Sequence, residues 1–206
     1  MSERDFFSDE AKRSTAASVT SAEAHTCAEI VVAVRKSSGR YGVLAYHFGL
    51  ALSAVVVAYL LLVPTVYSPF AIALDGIVAF ALGALLAANL DTLRRALSRP
   101  STLDGNVNSG ARVAFFDLGI SRTSGRNGLL VYASMFERRC VVLTDLGVNP
   151  AGFGPRWLAS ERELTEAVKR RDLAAFQRAI SQLGALLGDA HPRSENDVNE
   201  LPDEVQ

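Results

Sequence analysis

Residues 42–63 read GVLAYHFGLALSAVVVAYLLLV, residues 70–90 read FAIALDGIVAFALGALLAANL, and PTVYSP joins them at 64–69. Each apolar segment is about 20 residues long, the length that an α-helix needs to cross a hydrocarbon core of about 30 Å. Neither segment contains Lys or Arg. A core helix of a soluble protein can also be apolar all round, but two in succession at this length favour the membrane. The sequence therefore predicts a two-helix transmembrane hairpin over 41–92.

Small residues recur at one-turn spacing in the second segment, at Ala79, Gly83 and Ala87. Small side chains let two membrane helices approach closely. This stripe predicts the seam along which the two helices pack.

Basic residues flank the hairpin on both sides, whereas the 64–69 loop has none. They are Arg35, Lys36 and Arg40 before the hairpin, and Arg94, Arg95 and Arg99 after it. The positive-inside rule then places both chain ends and the soluble part in the cytoplasm. The same residues are suited to contact anionic lipid headgroups. The polar N-terminus, which carries charges of both signs, gives no indication of a signal peptide.

The rest of the chain has about 155 residues, which is the size of one ordinary domain. The net charge of −1 gives no electrostatic case for nucleic-acid binding. Cys27 and Cys140 are isolated in apolar contexts, and the three histidines are scattered, so neither a structural disulfide nor a zinc site is expected. These observations indicate one ordinary domain attached to the hairpin.

Sequence patterns outside the hairpin predict alternating helices and strands. Ser8 is a predicted N-cap of the first helix, and Glu29–Val34 is a β-branched run that indicates a central strand covered by helices on both faces. Arg99 to Asn106 reads as a break. The remaining predicted elements are a helix at 107–120, an antiparallel strand pair at 129–134 and 139–144, helices at 157–170 and 173–187, and a polar tail at 190–206. The predicted domain is therefore split into residues 1–40 and 93–189.

Short motifs in this order resemble the TPM domain family, which takes its name from a thylakoid lumen protein, a photosystem II repair factor and a nematode receptor modulator. The motifs are Glu23-x-x-Thr26-x-x-Glu29-Ile-Val-Val, Asn127-Gly128-Leu-Leu-Val, Glu137-Arg138-Arg139, Thr144-Asp145-x-Gly147 and Asn199-Glu200-Leu201-Pro202. The resemblance implies a three-layer helix–sheet–helix domain, here interrupted by the hairpin. The last motif resembles bacterial members that carry a membrane hairpin, and it implies a bacterial inner membrane.

Some soluble members of that family are described as acid phosphatases, and some bind calcium. Such members often have an Asp before the Asn-Gly pair, where this chain has Arg126. Strand ends in α/β sheets gather ligands, and Glu29, Asn127 and Asp145 lie at predicted strand ends. Their oxygens suit a hard cation such as Ca²⁺, so these three are the candidate metal ligands. No set of residues has the spacing of a catalytic site.

Structural roles for the same residues are the alternative. Asn127-Gly128 can form a turn that requires positive φ. Glu29 can cap a backbone group, or it can pair with Arg138 or Arg139.

Two functions of different classes follow. We expect an interaction or accessory module, held by the lipid bilayer at the cytoplasmic face, that works with another membrane protein. The alternative is a weak acid phosphatase, a phosphomonoesterase that depends on a divalent cation.

Overall fold

A computed structural model describes residues 3–193, 200–201 and 205 of the chain. Within these residues it contains ten regular elements. They are α1 (Asp9–Glu23), β1 (Glu29–Arg35), α2 (Gly42–Leu62), α3 (Pro69–Asn89), α4 (Asp91–Leu97), α5 (Pro100–Asp117), β2 (Gly128–Ser134), β3 (Arg139–Thr144), α6 (Pro155–Arg170) and α7 (Leu173–Gly188). Short 3-10 helices lie at Glu3–Phe7, Ile120–Arg122 and Pro150–Phe153. The chain forms two compact units, one of residues 39–103 and one of residues 1–38 with 104–206.

The smaller unit contains α2 and α3, which are long and apolar enough to span a membrane. Their apolar side chains are mostly exposed, because only 11% of the α2 window and 22% of the α3 window is buried. The buried residues of α3 are small, and include Ala79, Gly83 and Ala87. A Cβ added to Gly83 would lie 3.0 Å from the Cα of Gly49 on α2. The predicted packing seam is therefore confirmed.

The larger unit is a mixed α/β domain around a three-stranded sheet with the order β1-β2-β3. β1 and β2 are parallel, in a register that pairs Glu29 with Gly128 and Arg35 with Ser134. β2 and β3 are antiparallel, as the short connection between them predicts.

Apolar clusters cover both faces of this sheet. On one face, Ile30 and Val32 pack with residues of α1, α6 and α7. On the other face, Val31 and Ala33 pack with α5 residues such as Val107. Apolar side chains therefore bury both faces of β1. Its position as a central strand was wrong, because β2 is central in the described sheet and burial of both faces does not determine lateral position.

The predicted break at 99–106 was also wrong, because α5 begins at Pro100 and runs through that segment. Proline fixes φ near the helical value and lacks only an N–H that the first turn would leave unpaired. Pro155 begins α6 in the same way. The N-cap prediction is confirmed, since the Ser8 hydroxyl accepts the Ala11 N–H at 3.1 Å.

Candidate functional site

The three predicted ligand residues lie at one edge of the sheet. Glu29 begins β1, Asn127 immediately precedes β2, and Asp145 immediately follows the antiparallel β3. The strand register pairs Glu29 with Gly128 and Leu129 with Thr144, so these ends coincide. We call this the amino edge, because the parallel strands β1 and β2 both start there. All three lie at strand ends, as the sequence predicts, and the register places these ends at one edge.

Asp145 is engaged by Arg126. The guanidinium donates to both carboxylate oxygens, from Nε at 2.6 Å and from a terminal nitrogen at 2.8 Å. The Leu146 N–H adds a third bond at 2.8 Å. These contacts, led by the hydrogen bonds from Arg126, hold the pKa of the Asp145 carboxyl below its usual value. Arg126, which precedes the Asn-Gly pair, is therefore the partner of Asp145.

Glu29 is buried and accepts hydrogen bonds from the C-terminal segment. The N–H groups of Glu200 and Leu201 each lie 3.3 Å from one of its carboxylate oxygens. The Glu200 carboxylate in turn accepts the Ser124 N–H at 2.9 Å and the Ser124 hydroxyl. These bonds lower the pKa of Glu200. Of the predicted polar tail, residues 194–199, 202–204 and 206 lie outside the described residues.

The alternative roles for Glu29 are decided by the same geometry. It caps backbone N–H groups, as one alternative predicted. Pairing with Arg138 or Arg139 was wrong. Arg139 is opposite Ser134, six residues and about 20 Å along the sheet from Glu29, and Arg138 lies beyond it in the β2–β3 connection. Arg139 instead pairs with Asp104 at 2.8 Å.

Asn127 also has a structural role, although not the predicted one. Its side-chain amide donates to the Cys27 carbonyl, and its backbone N–H donates to the Thr123 hydroxyl at 3.2 Å. The positive-φ turn at Asn127-Gly128 was wrong, because the left-handed residue is Arg126, at φ 52°. Gly128 is needed for a close approach, since an added Cβ would lie 2.4 Å from the Ile120 carbonyl oxygen.

These contacts do not fit a calcium site. Ca²⁺ takes six to eight oxygen ligands, but the carboxylates of Asp145 and Glu29 already accept protein donors. Within the described part of the chain, the side-chain oxygen Oδ1 of Asn127 is buried and has no hydrogen-bond partner. No cluster of three or more His, Cys, Asp or Glu that could hold a metal was found in the described part of the chain.

The opposite edge, where β1 and β2 end, contains a buried polar network that the sequence analysis missed. Glu137 is fully buried and accepts the Ser38 N–H at 2.8 Å and the Ser134 hydroxyl at 2.5 Å. The Ser38 hydroxyl donates to Ser134 at 2.8 Å and lies 2.9 Å from the Tyr132 hydroxyl. We call this edge the carboxyl edge.

The signal for this network in the sequence is weak. Ser38 lies in what reads as a linker before the hairpin, 99 residues before Glu137. Glu137 itself lies in the short β2–β3 connection, where an acidic residue is expected to be exposed. The structure instead buries Glu137 completely, and the next residue, Arg138, turns the chain with φ 54°.

A cavity of about 430 Å³ opens in front of this network. Arg35 and Tyr132 line it from the sheet, and Ser38 lines it from the segment after β1. Gly110 and Asp117 line it from α5. Gly110 makes room for the tyrosine, since an added Cβ would lie 2.6 Å from the Tyr132 hydroxyl oxygen. Ligands in parallel α/β sheets gather at the carboxyl ends of the strands, so this edge is the second candidate site.

The basic residues that flank the hairpin have different environments. Arg35 ends β1, and the Lys36 ammonium lies 5.8 Å from the Phe7 ring centroid. Arg94 pairs with Asp91 on α4. Lys36 and Arg94 therefore contact side chains of the protein itself.

Comparison with known proteins gives a fold relationship. No protein-family model matches this chain, and no curated protein matches it in sequence. An NMR structure of the BA42 protein from the psychrophilic bacterium Bizionia argentinensis is similar, with a TM-score of 0.58 and 16% identity. The match covers 97% of this chain and 93% of that chain. At this identity the likeness establishes a shared fold alone.

Proposed function

We propose that this protein is a membrane-tethered interaction module, with a TPM-like three-layer domain held by a two-pass hairpin at the cytoplasmic face of a bacterial inner membrane. The observation that carries the proposal is the exposure of α2 and α3, whose apolar windows are 11% and 22% buried. A core helix of a soluble protein would be mostly buried. The bilayer is the partner that fits these surfaces.

The contacts at the amino edge also favour a module over a metal-dependent phosphatase. Arg126 supplies the positive charge that a cation would bring to Asp145. Backbone N–H groups donate to the Glu29 carboxylate and so take the place that a cation would occupy there. A phosphatase would have to break these contacts to load its metal, so we assign the amino edge a structural role.

Membrane topology tests the tether. Thr65→Cys in the 64–69 loop and Ser101→Cys on α5 would each be made with Cys27 and Cys140 changed to Ala. In intact cells, a membrane-impermeant maleimide should label Thr65→Cys and leave Ser101→Cys unlabelled until the cells are opened. The full chain should also remain in the membrane pellet after alkaline extraction. Extraction into the supernatant, or the reverse labelling pattern, would contradict the proposal.

Calorimetry with CaCl₂ tests the phosphatase alternative, alongside a phosphate-ester assay on the full chain in detergent. A module should give neither binding heat nor turnover. Calcium binding and turnover that both disappear in Asp145→Asn, with the variant still folded, would favour the enzyme. If the chain shows neither binding heat nor turnover, photo-crosslinking in membranes would identify the protein that the module contacts.

A further inference from the structure

We propose that the cavity at the carboxyl edge binds a small zwitterion of the phosphoethanolamine type, which carries a phosphate at one end and an ammonium at the other. The proposal starts from the direction of the hydrogen bonds behind the cavity. The Ser134 hydroxyl donates to Glu137, and the Ser38 hydroxyl donates to Ser134. The single hydrogen of Ser38 is thereby used, so the bond between Ser38 and Tyr132 must be donated by Tyr132.

This direction determines what the cavity offers a ligand. The Tyr132 hydrogen points toward Ser38, so its oxygen lone pairs are left to accept from the cavity. A ligand at this point has to bring an N–H or O–H donor. An ammonium group meets this requirement with three donors.

The charges around the cavity select the rest of the ligand. Arg35 and Asp117 are the charged residues among the described lining, one of each sign. Asp117 adds an anionic partner for an ammonium, and the guanidinium of Arg35 suits a phosphate. Ser109 lines the same cavity and offers a hydroxyl donor to a phosphate oxygen. A volume of about 430 Å³ lies within the range of small-molecule sites.

Two sources can supply this chemistry. One is a free solute, and the other is the headgroup of a phosphatidylethanolamine lipid. Ser38 precedes α2 by four residues in the sequence. The headgroup source rests on the proposed membrane tether, whereas the free solute does not.

Two glycines on α5 provide a matched pair for the test. Gly110→Ala puts a methyl group against the Tyr132 hydroxyl, whereas Gly105→Ala meets nothing within 4 Å. The full chain would be reconstituted in phosphatidylcholine nanodiscs and titrated with O-phosphoethanolamine by calorimetry. Wild type and Gly105→Ala should bind, and Gly110→Ala should bind at least tenfold more weakly. Tyr132→Phe keeps the ring and should also weaken binding, with Tyr67→Phe as its control.

Arg35→Gln and Asp117→Asn test the two ends of the ligand. Arg35→Gln should weaken phosphoethanolamine binding and leave the affinity for ethanolamine unchanged. Asp117→Asn should weaken the binding of both. Fluorescence of Trp157, the single tryptophan, would confirm that each variant is folded.

Nanodiscs that contain phosphatidylethanolamine separate the two sources. Loss of the heat of O-phosphoethanolamine binding in these nanodiscs would indicate that the lipid headgroup is the ligand. An unchanged heat would indicate that the ligand is the free solute. The proposal is overturned if neither the solute nor the lipid binds wild type, or if folded Gly110→Ala and Tyr132→Phe bind like wild type. Alkaline extraction of the same samples reports membrane insertion separately, so failure of the tether would be distinguished from failure of the site.

Discussion

At the amino edge of the sheet, buried acids are held by a guanidinium and by backbone N–H groups, whereas at the carboxyl edge Glu137 is held by serine hydroxyls and one backbone N–H. The first arrangement is local, because the Arg126 guanidinium donates to both carboxylate oxygens of Asp145. The second continues through Ser38 to Tyr132 and so reaches a cavity. The comparison teaches that carboxylates at a strand end do not by themselves mark a ligand site, since their partners decide what remains available.

Removal of Glu137 should have the largest effect on stability. Glu137→Ala leaves the Ser134 hydroxyl and the Ser38 N–H without their acceptor in a buried setting. We expect the free energy of unfolding to fall by roughly 3 kcal/mol. Urea unfolding of the full chain in mild detergent, followed by Trp157 fluorescence, measures this loss. Glu163→Ala, at an exposed position of α6, is the control. A loss for Glu137→Ala no larger than that of the control would mean that the carboxyl-edge network contributes little.

Gly147→Ala tests how closely the loops of the amino edge pack. An added Cβ would lie 2.6 Å from the carbonyl oxygens of both Gly125 and Arg126. Backbone atoms cannot move aside as a flexible side chain would, so we expect a loss of about 2 kcal/mol. Gly152→Ala, later in the same β3–α6 connection, meets nothing within 4 Å and is the control. Equal stability of the two variants would show that the amino edge is looser than this packing implies.

The smallest expected effect is a change in acid sensitivity at the amino edge. Because the pKa of Asp145 is lowered in the folded state, its pairing stabilises the fold above the ordinary pKa of 3.8. That stability is lost as the pH falls through the lowered value. Arg126→Gln should therefore flatten the decline in stability below about pH 4.

Urea unfolding of wild type and Arg126→Gln would be measured between pH 5 and pH 3. The control is Arg122→Gln, an exposed arginine in the same α5–β2 connection. This control should keep the wild-type decline. If Arg126→Gln also declines like wild type, the ion pair contributes nothing to the pH dependence.

Much of the fold was predictable from the sequence because its determinants are local. Helix N-caps such as Ser8 and the short β2–β3 connection depend on a few neighbouring residues. The errors arose where one residue type serves opposite purposes. Pro100 was interpreted as a break, yet proline is also favoured at the first helical position.

The candidate sites were less predictable. Glu29, Asn127 and Asp145 were selected as strand-end residues, and the strand register is consistent with a shared edge. Their partners could not be predicted, because Glu29 depends on Glu200, which is 171 residues away. Ser38 was missed for the same reason, since nothing near it in the sequence identifies Glu137 as its partner.

The sequence by itself determined that two helices are long and apolar enough to span a membrane, because length and hydropathy are properties of a continuous segment. It also predicted most of the strands and helices in the rest of the chain, except the start of α5, which was interpreted as a break. Only the tertiary structure decided which acids are paired, which strand is central, and which edge of the sheet has an open cavity. These features depend on groups that folding brings together from positions as far as 19 to 171 residues apart. Hydrogen bonds between such distant positions leave no periodic pattern in the sequence.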